Sequence, residues 1–278
     1  MIGVQLLIDI VALTLETAFV YDRVDGYRPA SLLLIAKPES GKTSAIETFR
    51  DLKYVKYLNE VTVKTLVNQV FPLIEKREVR FILIPDILNC VEKKTYTRQP
   101  LLNTFKSLVD EGVTEILTPY KIYKFSGNIK AGLISAITRS GFYKGQHRYS
   151  LFEDLKRMGF LSRMIPFSYK YPIDLFIKIF RYIEGSEIPR NETVIIPKII
   201  TRKNPVKFEP DPELFPDLRV ISMRLGAISD AYGIRVQKNL QKMCYANSLM
   251  NGRKYVTRED INKILELSRW MNFDFNLL

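Results

Sequence analysis

The sequence has few of the side chains on which disulfide-rich and metal-binding proteins depend. Its 278 residues include two cysteines and one histidine. Cys90 and Cys244 are far apart, lack metal-ligand spacing and lie in apolar surroundings, so we predict buried thiols in a reducing compartment. With His147 alone, a His-rich metal site is excluded, and a His-based catalytic triad has only that residue available.

The chain also lacks an uninterrupted hydrophobic run of membrane-spanning length. Its most apolar stretch, residues 1–20, is interrupted by Gln5, Asp9 and Glu16, and no basic region precedes it. Apolar residues recur in this stretch at helical spacing. We therefore expect a buried amphipathic helix without membrane contact, in a cytoplasmic protein.

Hydrophobic residues and basic residues are plentiful. A hydrophobic content of 46% over this length suits one large domain, or one domain with a small satellite. There are 42 basic and 30 acidic residues, for a net charge of +12. This balance favours anionic partners such as nucleotides and nucleic acids, although a solvated lysine-rich surface gives the same count.

A phosphate-binding loop is the most informative motif. An apolar strand at 32–35 leads into a tight loop, and Gly41-Lys42-Thr43 then opens a helix. Backbone N–H groups of such a loop bind a triphosphate, while Lys42 can reach the β- and γ-phosphates and the Thr43 hydroxyl can bind Mg²⁺. The pattern departs from the usual one at its first position, where Ala36 replaces glycine, and an ordinary turn is the alternative. The predicted ATP-binding residues are Ala36, Lys37, Pro38, Glu39, Ser40, Gly41, Lys42, Thr43 and Ser44.

A second motif predicts the rest of the metal site. The apolar run 81–84 ends at Pro85-Asp86, which places a carboxylate after a buried strand, as a Walker B aspartate requires for Mg²⁺. A turn aspartate is the alternative. Hydrolases of this type usually carry an acidic residue next, whereas this chain has Ile87. Glu39 or Glu92 could substitute, but spacing assigns neither, so nucleotide binding is better supported than turnover.

Short apolar runs alternate with helical patterns along most of the chain. This alternation predicts an α/β fold with a mainly parallel sheet between helices, and the phosphate loop at the carboxyl end of a strand. Six prolines between residues 185 and 218 predict an extended connector, and helical patterns follow it. The predicted units are an N-terminal helix and connection (1–30), an α/β core (31–185), the Pro-rich connector (186–216) and an all-α lid (217–278). The predicted strands are 32–35, 56–61, 80–84, 131–137 and 164–168, with turn chemistry at 126–128.

Together these motifs resemble the AAA+ ATPases, a P-loop NTPase superfamily, and most closely their helicase branch that includes the minichromosome maintenance proteins. The resemblance lies in motif order from about Ser31 to Met271. It implies a sensor 1 residue at the end of the strand after Walker B, where this chain has Thr138 and the family more often has Asn. A strand-end threonine without such a role is the alternative.

The resemblance also implies two arginines that respond to nucleotide. Leu161-Ser162-Arg163 is similar to the family's arginine finger, so Arg163 would reach a neighbouring subunit's site. The alternative is a surface salt-bridge partner. Gly233-Ile234-Arg235 resembles sensor 2, which implies that Arg235 faces the nucleotide of its own subunit.

A predicted hairpin before sensor 1 combines aromatic and basic residues, and helicases of this branch use a hairpin there to bind DNA. The predicted contacts are Lys121, Tyr123, Lys124 and Lys130. Alternating Tyr and Lys equally describe a half-buried strand.

The sequence therefore predicts a Mg²⁺-ATP-dependent ATPase that acts on DNA as a helicase or translocase. We expect it to form a ring of identical subunits, a hexamer. Its predicted catalytic residues are Lys42, Asp86, Thr138, Arg163 and Arg235. An ATP-gated assembly or loader protein with weak or no hydrolysis is the alternative, and a P-loop kinase for a small molecule is a more distant one.

Overall fold

Short strands alternate with helices through the part of the chain that a computed structural model describes, residues 4–24, 26–92, 95–117, 121–143, 150–186 and 194–273. The strands of these ranges are β1 (Val20–Asp22), β2 (Leu32–Ala36), β3 (Val55–Tyr57), β4 (Phe81–Ile84), β5 (Val113–Leu117), β6 (Ile122–Ile129), β7 (Gly132–Thr138), β8 (Ile165–Tyr169) and β9 (Val206–Phe208). The helices are α1 (Gln5–Glu16), α2 (Lys42–Glu47), α3 (Val63–Thr65), α4 (Phe71–Glu75), α5 (Leu88–Val91), α6 (Thr95–Val109), α7 (Arg139–Tyr143), α8 (Leu151–Arg157), α9 (Ile173–Ile183), α10 (Pro216–Ile228), α11 (Ile234–Met250) and α12 (Arg258–Ser268).

The central sheet has five strands in the order β3-β4-β7-β2-β8, and every neighbouring pair is parallel. Every residue of β2, β4 and β8 is buried. Because side chains alternate between the two faces of a strand, complete burial requires a covering layer on both faces. The predicted α/β class, with a parallel sheet among helices, is confirmed.

The sheet has a topological switch point beside the phosphate loop. β2 and β7 are neighbours, yet β2 leads to β3 at one edge of the sheet and β7 leads to β8 at the opposite edge. In open parallel sheets such a reversal creates a crevice at the carboxyl ends of the two strands, where ligands bind. The carboxyl end of β2, at Ala36, is therefore the place where this topology predicts a ligand crevice.

The N-terminal helix α1 is buried, as predicted, and packs against α2 and α11. One continuous apolar core includes α1, the sheet and the helices α10 to α12. None of the helices in the described ranges combines the length and the hydropathy that a bilayer crossing demands.

The described part of the connector is fastened to the N-terminal region. β9 pairs in parallel with β1, and the Arg80 guanidinium donates to the Ala18 carbonyl at 3.0 Å and to the Lys203 carbonyl at 2.8 Å. Arg202 forms an ion pair with the fully buried Glu16. Burial raises the pKa of Glu16 to about 7, although Arg202 opposes the shift.

Three local features differ from the sequence expectations. Residues 126–128 do not form a turn: they lie within β6, where the register with β5 shifts between Val113 and Glu115, so the turn-forming residues produce an irregularity inside a strand. The pattern predicts that the helix after the phosphate loop continues to Lys53, but α2 ends at Glu47 and turns follow it. Helix α9 has no counterpart among the predicted elements.

Candidate functional site

The phosphate loop wraps around the side chain of its own lysine. Lys42 Nζ donates to the Lys37 carbonyl at 2.7 Å, to Ser40 Oγ at 3.1 Å and to the Ala36 carbonyl at 3.2 Å. The lysine is only 7% exposed. Burial lowers the pKa of Lys42 to about 8, and the nearby Asp86 carboxylate opposes that shift. A bound anion would favour the charged ammonium, so this environment suits a polyphosphate.

Backbone conformation shapes the rest of the loop. Glu39 and Gly41 adopt left-handed conformations, with φ of 62° and 78°. Such residues turn backbone N–H groups toward one side and form anion-binding concavities. A Cβ atom on Gly41 would lie 2.3 Å from Cγ1 of Val4, so the start of α1 closes over the loop and leaves room only for glycine. The Thr43 side chain next to it is exposed and available to a ligand.

Asp86 and Thr138 lie at the same edge of the sheet as the loop. Thr138 is in register with Ala36 on the neighbouring strand, and β4, which leads to Asp86, is the next strand beyond β7. The Asp86 carboxylate accepts from the Leu88 N–H at 3.0 Å, as a turn aspartate does, and its charge also acts on Lys42. The Thr138 hydroxyl accepts from the Gly141 N–H at 3.3 Å. The topology thus brings these two predicted residues to the phosphate loop.

The position after Asp86 has a structural role. Ile87 is fully buried, and its N–H donates to the Ala136 carbonyl at 2.9 Å. An acidic side chain there would face an apolar core. Glu39 and Glu92, the two candidate substitutes for a water-orienting carboxylate, are both exposed.

The two predicted arginines lie at the amino ends of the strands, opposite the carboxyl ends where the phosphate loop lies. Arg163 lies two residues before Ile165, the first residue of β8, and the Ile165 N–H donates to the carbonyl of Ser31, the residue before β2. From Leu32 to Ala36 the strand spans about 13 Å. Arg163 therefore stays away from the phosphate loop of its own chain.

Arg163 and Arg235 meet at a carboxylate that the sequence analysis did not identify. Asp110 Oδ2 lies 3.1 Å from Arg163 Nε and 2.5 Å from Arg235 Nε, and Asp110 Oδ1 lies 3.8 Å from Nη1 of Arg28. Arg163 also contacts Glu111 Oε1 at 3.0 Å and donates to the Gly159 carbonyl at 2.6 Å. We call Arg28, Arg163, Arg235, Asp110 and Glu111 the arginine cluster. Three guanidinium groups share two carboxylates in it, so the cluster carries a net positive charge.

The arginine cluster corrects one expectation and modifies another. Because Arg235 is held at the amino ends of the strands, the expectation that it faces the nucleotide of its own subunit does not fit its position. Arg163 does take part in salt bridges, but as a buried residue and not at the surface. No local motif marks Asp110. It follows α6 at a point where left-handed Gly112 ends the helix by donating to the Ser107 carbonyl.

The predicted nucleic-acid residues lie on the β5–β6 hairpin and just beyond it. Lys121 Nζ is 5.0 Å from the centre of the Tyr123 ring, and Lys124 is exposed opposite Glu115. Lys130 follows the end of β6 at the base of the hairpin and is half-buried. Phe125 anchors the hairpin on α4 through an edge-to-face contact with Phe71, with ring centres 5.5 Å apart. Tyr120 and His147 lie outside the described residues.

Neither family models nor curated proteins give a match to this chain. Among the described residues no group of three or more His, Cys, Asp or Glu side chains could hold a metal ion by itself. A divalent cation at the phosphate loop would therefore depend on Thr43, Asp86 and the phosphate oxygens of the nucleotide, which is how Mg²⁺ is usually bound with nucleotides.

Proposed function

We propose that this protein is a Mg²⁺-ATP-binding P-loop NTPase of the AAA+ type, built from the α/β core and a helical lid formed by α10 to α12. The observation that carries the proposal is the buried Lys42 ammonium, held by three loop acceptors at the switch point of a parallel sheet. The order of Ala36, Thr138 and Asp86 across adjacent strands supports it.

Each residue has a defined task in this proposal. Lys42 and the loop N–H groups bind the triphosphate, and Thr43 and Asp86 hold Mg²⁺, which neutralises phosphate charge. Thr138 offers a hydroxyl to the γ-phosphate or to water. Arg163 and Arg235 supply positive charge to a neighbouring subunit's nucleotide, so activity depends on assembly into a ring.

DNA is the proposed substrate of the assembled motor. The net charge of +12, the exposed Lys121 and Lys124 and the half-buried Tyr123 support binding by phosphate neutralisation and base stacking. The burial of both cysteines supports a cytoplasmic location.

A switch that binds ATP with little hydrolysis is the second candidate, and the buried Ile87 beside Asp86 favours it. Phosphate release measured with and without single-stranded and duplex DNA separates the two functions. Turnover that DNA stimulates, and that Lys42→Ala abolishes, supports the motor. Tight binding with negligible release supports the switch, and phosphate transfer to a metabolite would favour a kinase instead of both.

A further inference from the structure

Helix α9 presents an apolar face that no other element of the described residues covers. Ile173, Phe176, Ile177, Phe180 and Ile183 are each 44% to 75% exposed, and they follow helical spacing along one side. Another side of the helix carries the half-buried Leu175 and Ile179. At about 200 Å² per large apolar side chain, the exposed face amounts to roughly 600 Å², the upper end of the largest patch on a typical monomer. We call it the α9 face.

The α9 face starts beside the phosphate loop. Tyr169, the last residue of β8, is in register with Ala36, and α9 begins four residues later. Between them, the Tyr171 hydroxyl lies 3.6 Å from where a Cβ of Gly41 would be. The α9 face therefore begins on the side of the molecule that carries the phosphate loop.

A second apolar surface lies beside the arginine cluster. Val220, Met223, Tyr232 and Ile234 are 61% to 92% exposed, and we call them the α10–α11 face. Gly233 joins the two helices so closely that a Cβ there would lie 2.1 Å from the Ser222 carbonyl oxygen. Ile234 directly precedes Arg235, which contacts Asp110 at the amino ends of the strands. This face is therefore on the side of the molecule that carries the arginines.

We infer that the α9 face of one copy of this chain docks on the α10–α11 face of the next copy. Two different patches, one that begins at the carboxyl ends of the strands and one beside the arginine cluster, suit a head-to-tail contact, which closes into a ring when the rotation allows. The contact would bring the positive arginine cluster of one copy toward the negative triphosphate in the other, so the charges match. The inference rests on the proposed function, since it states which surfaces complete the shared site.

Sedimentation with a non-hydrolysable ATP analogue tests the docking. Phe176→Asp and Met223→Asp place a charge in the α9 face and the α10–α11 face, and each variant should stay monomeric. Ile173→Asp and Val220→Asp repeat the two changes at other exposed positions, and circular dichroism verifies folding. The control is Tyr255→Asp, at an exposed residue beyond the C-terminal end of α11, which should assemble like the unchanged chain.

Mixing the two monomeric variants gives the sharpest result. The Phe176→Asp copy keeps its α10–α11 face and the Met223→Asp copy keeps its α9 face, so the mixture should form dimers with one intact contact. Phosphate release by the mixture should exceed that of either variant alone by on the order of 10³-fold, the lower range of an arginine finger. Lys42→Ala in the Met223→Asp copy, or Arg163→Ala in the Phe176→Asp copy, should abolish the recovered release.

Several outcomes would overturn the inference. The inference is wrong if Phe176→Asp assembles like the unchanged chain. It is also wrong if Met223→Asp assembles, because the α9 faces of two copies would then pair with each other. A mixture without dimers also contradicts it, as does a monomeric chain that binds anionic lipid vesicles through Phe176. Nucleotide binding by monomeric Phe176→Asp, measured by calorimetry, separates the two proposals: retained binding alongside failed docking leaves the proposed function standing.

Discussion

Removing the charge of Asp110 should destabilise the protein far more than removing that of its neighbour Glu111. Asp110 is 14% exposed and contacts Arg28, Arg163 and Arg235, of which Arg28 is 2% exposed. Breaking a buried ion pair by removing one partner costs about 3–5 kcal/mol, because the remaining charges stay buried. Asp110→Asn keeps an oxygen acceptor, so we expect the free energy of unfolding to fall by the lower end of this range, about 3 kcal/mol.

Glu111→Gln is the matched control. The Glu111 side chain is 66% exposed and contacts Arg163 alone within the cluster, so its loss should cost less than about 1 kcal/mol. Urea unfolding followed by circular dichroism gives both free energies from the midpoint and the slope. Equal losses in the two variants, or a loss below about 1 kcal/mol for Asp110→Asn, would refute the account of the arginine cluster. A double-mutant cycle with Arg235→Ala should show coupling of about 0.5–3 kcal/mol.

Three further results are expected. Because the pKa of Lys42 is lowered to about 8, nucleotide binding at pH 8.5 should take up a proton, and the binding enthalpy measured by calorimetry should then change with the buffer. At pH 6.5 the enthalpy should not depend on the buffer. An enthalpy that is independent of the buffer at both pH values would contradict the prediction. The pKa of Glu16 is raised to about 7, so between pH 4.5 and 7 the folded protein keeps a proton that the unfolded chain loses. The free energy of unfolding should therefore fall by on the order of 2 kcal/mol over this range. In urea titrations Glu16→Gln should show a smaller fall, and an equal fall in both proteins would contradict this prediction. Gly233→Ala should lower the melting temperature more than Gly252→Ala, because both glycines are left-handed but a Cβ only at Gly233 would meet backbone; equal decreases would contradict the close approach of α10 and α11.

The sheet could be predicted from the sequence because its strands are short, continuously apolar runs. Such runs are typical of strands buried on both faces, and the polar residues that end them, such as Asp86 and Thr138, fall at one edge when strands are parallel. The loop between β2 and α2 could be predicted because its residue spacing is local, and its binding of a triphosphate stays a prediction.

The missed features have different causes. Helix α9 is amphipathic, with Asp174, Lys178 and Arg181 spaced along a polar side, so its local pattern indicates a helix that the sequence analysis overlooked; the pattern does not indicate that its apolar side stays exposed. Asp110 is paired with Arg235 across 125 positions of sequence. An ion pair between distant segments depends on the packing of the helices that carry it, and one sequence alone does not reveal that packing.

Nucleotide uptake by the unchanged chain and by Lys42→Ala is the measurement that tests the central claim most directly. Isothermal calorimetry with Mg²⁺ and a non-hydrolysable ATP analogue should show one site per chain in the unchanged protein and none in Lys42→Ala. Lys53→Ala, an exposed lysine outside the loop, should bind like the unchanged protein. The absence of binding to the unchanged chain, or equal affinity in Lys42→Ala, would contradict the claim that the loop after β2 holds a triphosphate.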